Sequence, residues 1–221
     1  MKRTNAEILC EYGPFPGASR VNGVTFDGRH VWFASGEKLI AFDPDNGKTV
    51  RTIDVAAHAG TAFDGRYLFQ IAEDRIHKID PTTGQVIATI PAPGGGGDSG
   101  LAWAEGTLWV GQDRARKIHQ IDPESGAILR TIESDRFVTG VSWTGGELWH
   151  GTWENDTSEV RQVDPRTGDV LEKIEMPAGV GVSGLESDGG DRFFCGGGRS
   201  GTVRTIRRHR RSVPRSAKAT A

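Results

Sequence analysis

Residues 100–132 read GLAWAEGTLWVGQDRARKIHQIDPESGAILRTI, and the same pattern occurs, complete or in part, four more times in the 221-residue chain. Every copy opens on a glycine: Gly23, Gly60, Gly100, Gly140 and Gly184. The spacings between these glycines are 37, 40, 40 and 44 residues. Four short segments rich in β-branched and aromatic residues fit into each interval, which is typical of a propeller blade of four antiparallel strands.

Turn residues separate these segments in every copy. A hairpin turn such as Glu105-Gly106 follows the first segment, and the second segment carries an aromatic residue such as Trp109. The third segment ends in Asp-Pro in four copies, at Asp43, Asp80, Asp122 and Asp164. Proline fixes φ and has no N–H to donate, so it ends the strand and begins a turn.

The fifth copy runs into a basic tail before its fourth strand. Residues 8–12, ILCEY, resemble the fourth strands and precede the first copy. We therefore predict an all-β fold, a five-bladed β-propeller of four-stranded antiparallel blades, whose last blade is closed by the N-terminal strand. Residues 1–207 form a single domain in this interpretation, and residues 208–221 form a basic tail without fixed structure.

Charge is distributed unevenly along the chain. The net charge is −2, but seven basic residues and no acid follow residue 203, which leaves 20 basic against 29 acidic residues before it. Such an acidic body does not favour nucleic acid as a partner. No segment has the length and apolarity of a membrane span or of a secretory signal, so we expect no membrane association and a cytoplasmic location.

The repeats carry a family resemblance. Leu108-Trp109-Val110-Gly111 and residues 121–132, IDPESGAILRTI, resemble the YVTN-type repeats of bacterial propellers. Members of this group include lactonases, lyases, cyclotransferases and binding proteins, so the resemblance implies a fold rather than one activity.

In length, blade number and hairpin pattern the chain also resembles the five-bladed glutamine cyclotransferases, which close an N-terminal glutamine to pyroglutamate. The opening Phe-Thr-Gln-Gly-Leu of that family corresponds to residues 20–24, RVNGV. The family's Glu-Ser-Thr-Gly corresponds to residues 33–36, FASG, where this chain has no glutamate. The resemblance therefore implies the scaffold without the acid expected to carry the proton.

Binding residues are expected on the face that holds the blade-to-blade loops, because these loops vary in length and sequence. Positions where one blade departs from the others indicate candidates. The predicted ligand-binding residues are Asn22, His58, Gln70, Asp98, Ser99, Trp153 and Glu154. The ligand expected here is a small molecule at the central channel.

Two further departures suggest catalysis. Glu186 takes a position filled elsewhere by Thr, Ala or Ser, and a buried carboxylate is costly unless it is paired, hydrated or bound to metal. An alternative is a local partner such as Arg20 or a channel water. His150 is the candidate general base, and the alternative is a histidine that only satisfies a hydrogen bond.

His58, Asp98 and Glu186 form a candidate set for a divalent cation, Mg²⁺, Mn²⁺ or Ca²⁺. The alternative is that no cofactor is bound. Cys10 and Cys195 fall on strands separated by a third strand, beyond disulfide reach, so both are expected to be free thiols.

Three functions remain open from the sequence. The first is a polar small-molecule site at the channel with lactonase-like hydrolase or lyase chemistry, with or without a metal. The second is acyl transfer like that of a glutamine cyclotransferase. The third is a propeller that binds a ligand or a protein partner without catalysis.

Overall fold

A computed structural model describes residues 1–208, and the remainder of the predicted basic tail, residues 209–221, lies outside the described residues. The N-terminal strands are β1 (Lys2–Asn5) and β2 (Ile8–Tyr12). Blade one contains β3 (Val24–Phe26), β4 (Val31–Ala34), β5 (Gly36–Phe42) and β6 (Thr49–Ala57). Blade two contains β7 (Thr61–Phe63), β8 (Leu68–Ala72), β9 (Arg75–Ile79) and β10 (Val86–Pro91).

The later blades repeat this arrangement. Blade three contains β11 (Asp98–Ala104), β12 (Thr107–Gln112), β13 (Lys117–Ile121) and β14 (Ile128–Glu133). Blade four contains β15 (Val138–Thr144), β16 (Glu147–Thr152), β17 (Glu159–Val163) and β18 (Val170–Glu175). Blade five contains β19 (Leu185–Ser187), β20 (Arg192–Gly196) and β21 (Val203–Arg207).

The N-terminal strand β2 supplies the fourth strand of blade five. Its neighbour is β21, with Tyr12 opposite Val203 and Ile8 opposite Ile206 in an antiparallel register. The all-β, five-bladed fold and the closure of its last blade by the N terminus are therefore confirmed. No helix in residues 1–208 is long and apolar enough to cross a membrane.

The repeat glycine marks the point where the innermost strands of neighbouring blades come closest. A Cβ on Gly100 would lie 2.6 Å from Val141 N of blade four, and one on Gly184 would lie 2.6 Å from Val24 N of blade one. The other three repeat glycines approach the next blade in the same way. Glycine opens each copy because a side chain here would push adjacent blades apart.

Aromatic residues fill the space between blades outside this ring. Phe69 stacks on Trp103 with ring centroids 5.4 Å apart, and Trp109 stacks on Trp143 at 5.6 Å. Each pair joins the second strand of one blade to the first strand of the next. These residues therefore hold the blades together and are not a platform for stacking a ligand.

Two terminal features extend the predicted fold. Strand β1 adds a fifth strand to blade four by pairing in parallel with β18, and Lys2 Nζ lies 2.8 Å from Glu172 Oε1. Arg208, the first residue of the predicted tail, is buried and donates from Nη2 to Glu147 Oε2 at 2.6 Å. Arg208 is thus attached to blade four, because Glu147 and the ring of Trp149 hold its guanidinium.

Both cysteines are free, as predicted. Cys10 is exposed on β2, and Cys195 is buried on β20. Strand β21 lies between them. Burial raises the pKa of the Cys195 thiol to about 12, which keeps it protonated and unreactive at neutral pH.

Candidate binding site at the channel mouth

A cavity of about 630 Å³ opens where the first strands of the blades begin. This is the face of the blade-to-blade loops, opposite the Asp-Pro turns. Side chains around the cavity come from all five blades: Asn22, His58, Asp98, Ser99, Gln112, Asp113, Arg114, Thr139 and Ser183. Such a volume accommodates a small organic molecule.

Asp98 is the buried carboxylate of this cavity, with only 7% of its surface exposed. Its Oδ2 accepts a hydrogen bond from Gly94 N at 2.9 Å, and its Oδ1 accepts one from Gln112 Nε2 at 3.4 Å. No Lys, Arg or His of residues 1–208 forms an ion pair with it. Burial consequently raises the pKa of Asp98, although both hydrogen bonds oppose that shift.

The glycine run 94–97 folds around this carboxylate. Gly95 and Gly96 have φ of 55° and 97°, a region that favours glycine. Gly97 N donates to Gly94 O at 3.1 Å, and a Cβ on Gly94 would lie 2.5 Å from Asp98 Oδ1. The loop is thus a tight turn held by Asp98, with no room for a larger residue at its start.

The residues before the repeat glycines form a polar ring. Asn22 Nδ2 donates to His58 O at 2.8 Å, and Ser99 Oγ donates to Val138 O at 2.7 Å. Ser183 Oγ donates to Val21 O. Each donor reaches the backbone of a neighbouring blade, so the ring ties the blades together. Asn22 Oδ1 keeps a free acceptor position, since no donor among residues 1–208 reaches it.

A second cavity of about 640 Å³ adjoins the first at Thr139 and Ser183. Trp153, Asp156 and Arg199 are among its lining residues. Arg114 of the first cavity and Arg199 of the second are exposed, and neither forms an ion pair within the described residues. The mouth is therefore an extended groove. The buried carboxylate of Asp98 lies in its wall, and the long cationic side chains of Arg114 and Arg199 are exposed at its rim.

His150 does not reach the channel mouth. It is 1% exposed and borders a separate cavity of about 300 Å³ between blades three and four. Its Nδ1 lies 3.0 Å from Gly151 O, and burial lowers the pKa of His150 to about 4. The side chain of His150 points toward the preceding blade, as the side chain of Val110 does in blade three. His150 therefore does not take part in a site at the channel.

Glu186 lies inside the ring of first strands and is tied to two other blades. Its Oε2 accepts from Thr25 Oγ1 at 3.1 Å, and its Oε1 accepts from Ser142 Oγ and from Ser187 N, both at 2.8 Å. Neither Arg20 nor another cation pairs with it in the described residues. Burial raises the pKa of Glu186 to about 7. The two predicted catalytic residues, His150 and Glu186, are thus not brought together.

The predicted metal set does not converge either. His58 Nε2 lies 3.1 Å from Glu37 Oε1, Asp98 binds the glycine loop, and Glu186 binds blade-four and blade-one hydroxyls. Within residues 1–208, no group of three or more His, Cys, Asp or Glu side chains is placed to hold a metal ion. The arrangement therefore does not fit a divalent cation bound by these three residues.

The other predicted ligand residues divide into two groups. Asn22, His58, Asp98 and Ser99 line the first cavity, and Trp153 lines the second. Gln70 is buried inside blade two, where its Nε2 donates to Ile71 O at 2.8 Å. Glu154 pairs with Arg116 at 2.6 Å and with Arg136 at 3.4 Å and does not border either cavity.

Sequence reasoning missed several residues of the mouth. Thr139 and Ser183 stand at the same repeat position as Asn22 and Ser99. This equivalence was a signal in the sequence from which both could have been predicted as binding residues. Gln112, Asp113 and Arg114 follow the second strand of blade three, in a loop whose approach to the channel no sequence pattern indicates.

Fold and cavity together define a five-bladed β-propeller with a polar groove at the mouth of its channel. A family model described as a repeat of unknown function (DUF6923) matches residues 56–172, just over half of the chain, and the chain belongs to this family. No curated protein matches it.

Solved structures share the fold. The glutaminyl cyclase of Myxococcus xanthus superposes with a TM-score of 0.76 and 19% identity over 93% of this chain and 97% of that one. The hydrazine synthase of Kuenenia stuttgartiensis superposes with a TM-score of 0.52 and 19% identity over 80% of this chain and 55% of the other. A chain of a mitotic checkpoint complex gives 0.58 at 12% identity over 95% and 94%.

Proposed function

We propose that the protein binds a small polar molecule at the channel mouth and that the Asp98 carboxylate receives a positively charged or hydrogen-bond-donating group of this ligand. The observation that carries the proposal is a buried carboxylate, without a cationic partner in residues 1–208, in the wall of a cavity of about 630 Å³.

Electrostatics favours an ammonium group over other donors. A buried carboxylate loses much of its hydration, and an ion pair with a ligand compensates for this loss. Asn22 Oδ1 offers an acceptor on the other side of the cavity, suited to an amide N–H. Arg114 and Arg199 at the rim suit an oxygen-rich end of the ligand.

The test uses L-alanyl-L-alaninamide, which carries an ammonium group and amide groups, and its N-acetylated form, which lacks the charge. We expect the free amine to bind wild type at least tenfold more tightly at pH 7.5, measured by NMR titration. In Asp98→Asn this preference should disappear, because the amide side chain keeps its size but loses the charge.

Asp45→Asn is the matched control, since Asp45 is exposed in an Asp-Pro turn on the opposite face. This variant should bind as wild type does. Equal affinity of wild type for the free and the acetylated dipeptide would show that Asp98 does not select for an ammonium group, and the proposal would fail.

A second candidate function is glutaminyl cyclisation. The observations that favour it are the superposition over nearly the whole of both chains and the buried Asp98 carboxyl group, whose pKa burial raises above its ordinary value. In this reaction the α-amine attacks the γ-carboxamide carbon, the C–N bond to ammonia breaks, and Asp98 would carry the proton from the attacking to the leaving nitrogen.

Release of ammonia from L-glutaminyl-L-alaninamide distinguishes the two candidates. Turnover by wild type, and a loss of at least a hundredfold in Asp98→Asn, would support cyclisation. Binding of the alanyl dipeptide without ammonia release from the glutaminyl one would support the binding function alone.

Hydrolase or lyase chemistry through His150 and Glu186 is not part of the proposal, because neither side chain borders the mouth cavity. No step is derived through a divalent cation, because His58, Asp98 and Glu186 do not converge. Binding of a protein partner by the acidic body stays a prediction from charge alone.

A further inference from the structure

The cavity between blades three and four is separate from the channel mouth and has its own chemistry. Its volume is about 300 Å³. Part of its wall is apolar and consists of Ile118, Ile132, Val163 and Val170, and the rest is polar and includes Glu133, Asp135, Thr167 and Asp169. An apolar cavity of about half this size binds a molecule as large as benzene, so there is room here for a substituted ring or a branched aliphatic molecule.

One polar ring, His150, forms the inner wall of this cavity. At neutral pH the imidazole is uncharged, since burial lowers its pKa to about 4. Nδ1 lies 3.0 Å from Gly151 O, and a carbonyl oxygen only accepts, so Nδ1 carries the ring proton. Nε2 of the same ring therefore presents a lone pair.

Nothing in residues 1–208 donates to this lone pair. Nε2 takes part in no hydrogen bond, yet it is not among the polar side-chain atoms that are completely enclosed without a partner. Because His150 as a whole is only 1% exposed and borders the cavity, Nε2 opens into the cavity itself. The side chain is thus a buried acceptor that faces this cavity.

We propose that this cavity is a second ligand site, which takes a small uncharged molecule with an apolar body and one hydroxyl group that donates to His150 Nε2. The buried guanidinium of Arg161 lies opposite His150 on the neighbouring strand. Arg161 itself is held by Asp135 and Glu159 and is not free to bind an anion.

Blade three shows that the histidine is not required for packing. The residue at the corresponding position is Val110, which belongs to the apolar core between blades two and three. A valine at position 150 would keep the strand and remove only the acceptor and part of the ring volume. His150→Val is therefore a variant that the same fold already accommodates elsewhere.

Phenol and toluene are the probes for the test, since they have the same shape and differ in the hydroxyl. We expect phenol to bind wild type saturably and about tenfold more tightly than toluene, consistent with one hydrogen bond to a buried acceptor. In His150→Val the two probes should bind equally. Circular dichroism and the thermal midpoint establish that the variant is folded.

The location is read from amide shifts in ¹⁵N-labelled protein. Phenol should move the signals of Ile118, Ile132 and Val170 and the ¹⁵N resonance of His150 Nε2, and leave Asn22 and Asp98 unchanged. Equal affinity of wild type for phenol and toluene, no saturable binding of phenol, or shifts confined to the channel mouth would each overturn the assignment. If His150→Val does not fold, the wild-type ratio and the Nε2 shift still decide the outcome.

Discussion

Glu186 makes a prediction about stability and pH. Its carboxyl group has a pKa of about 7 in the folded protein against 4.5 for the ordinary side chain, and the cause is burial among the innermost strands. A raised carboxyl pKa means that the folded state binds a proton more tightly than the unfolded state. Stability is therefore greatest when Glu186 is protonated and falls as pH rises from 4.5 to 7.

The magnitude follows from the shift. Each pKa unit corresponds to about 1.36 kcal/mol, so a difference between about 7 and 4.5 amounts to about 3 kcal/mol lost between pH 4.5 and 8. Glu186→Gln resembles the protonated form: its amide oxygen still accepts from Ser142 Oγ or Ser187 N, and its NH₂ can donate to Thr25 Oγ1. The variant should lack this pH-dependent loss.

The assay is urea unfolding at pH 4.5, 5.5, 6.5 and 8, followed by the fluorescence of the six tryptophans. We expect the free energy of unfolding of Glu186→Gln, relative to wild type, to rise by about 3 kcal/mol from pH 4.5 to pH 8. Glu124→Gln, at an exposed position in an Asp-Pro turn, is the control and should show a flat difference. A flat or falling difference for Glu186→Gln would refute the reasoning, because it would mean that Glu186 is ionised and stabilising in the folded state.

Two further variants test the fold. Gly100→Ala should destabilise the propeller by about 3 kcal/mol in urea unfolding, because its Cβ would lie 2.6 Å from the blade-four backbone, whereas Gly97→Ala, with 3.4 Å to its nearest neighbour, should change stability by less than about 1 kcal/mol. Equal losses of stability in the two variants would contradict the close approach of neighbouring blades at the repeat glycines. Arg208→Ala should lower the thermal midpoint by several degrees, since it leaves the half-buried Glu147 carboxylate without its cationic partner. Arg199→Ala, at the exposed rim, should not lower it.

Sequence reasoning predicts the fold in detail because the information is local and repeated five times. The repeat glycines, the hairpin turns and Asp-Pro each act within a few residues, and their spacing counts the blades. Closure by Ile8–Tyr12 follows because the fifth copy lacks a fourth strand and this N-terminal strand precedes the first copy. Strand β1 was not predicted, because it pairs with the outer edge of blade four and neither a turn motif nor the repeat pattern marks it in the sequence.

The site is less predictable because it depends on the direction of side chains. His150 and Asp98 both break the repeat pattern, yet one lies between two blades and the other at the channel mouth. The direction depends on which strand a residue occupies and on how the blades twist against one another. Loop residues such as Arg114 reach the mouth through a path that no periodicity encodes.

A departure from the repeat marks a binding group only when the neighbouring blades supply no matching partner for that group. Glu186 departs most strongly from the repeat, but the hydroxyl groups of Thr25 and Ser142 donate hydrogen bonds to its carboxylate. These two residues belong to blades one and four, the two neighbours of blade five. Blades two and three have Ala62 and Ala102 at the same position. The hydrogen bonding of Glu186 was therefore predictable from the sequence, since hydroxyl side chains occur at this repeat position only in the two blades adjacent to the one that carries the acid. Within residues 1–208, Asp98 and His150 receive no such hydroxyl from a neighbouring blade: Asp98 has hydrogen-bond donors but no cation, and His150 Nε2 has no donor. This is why the ligand sites are placed on them.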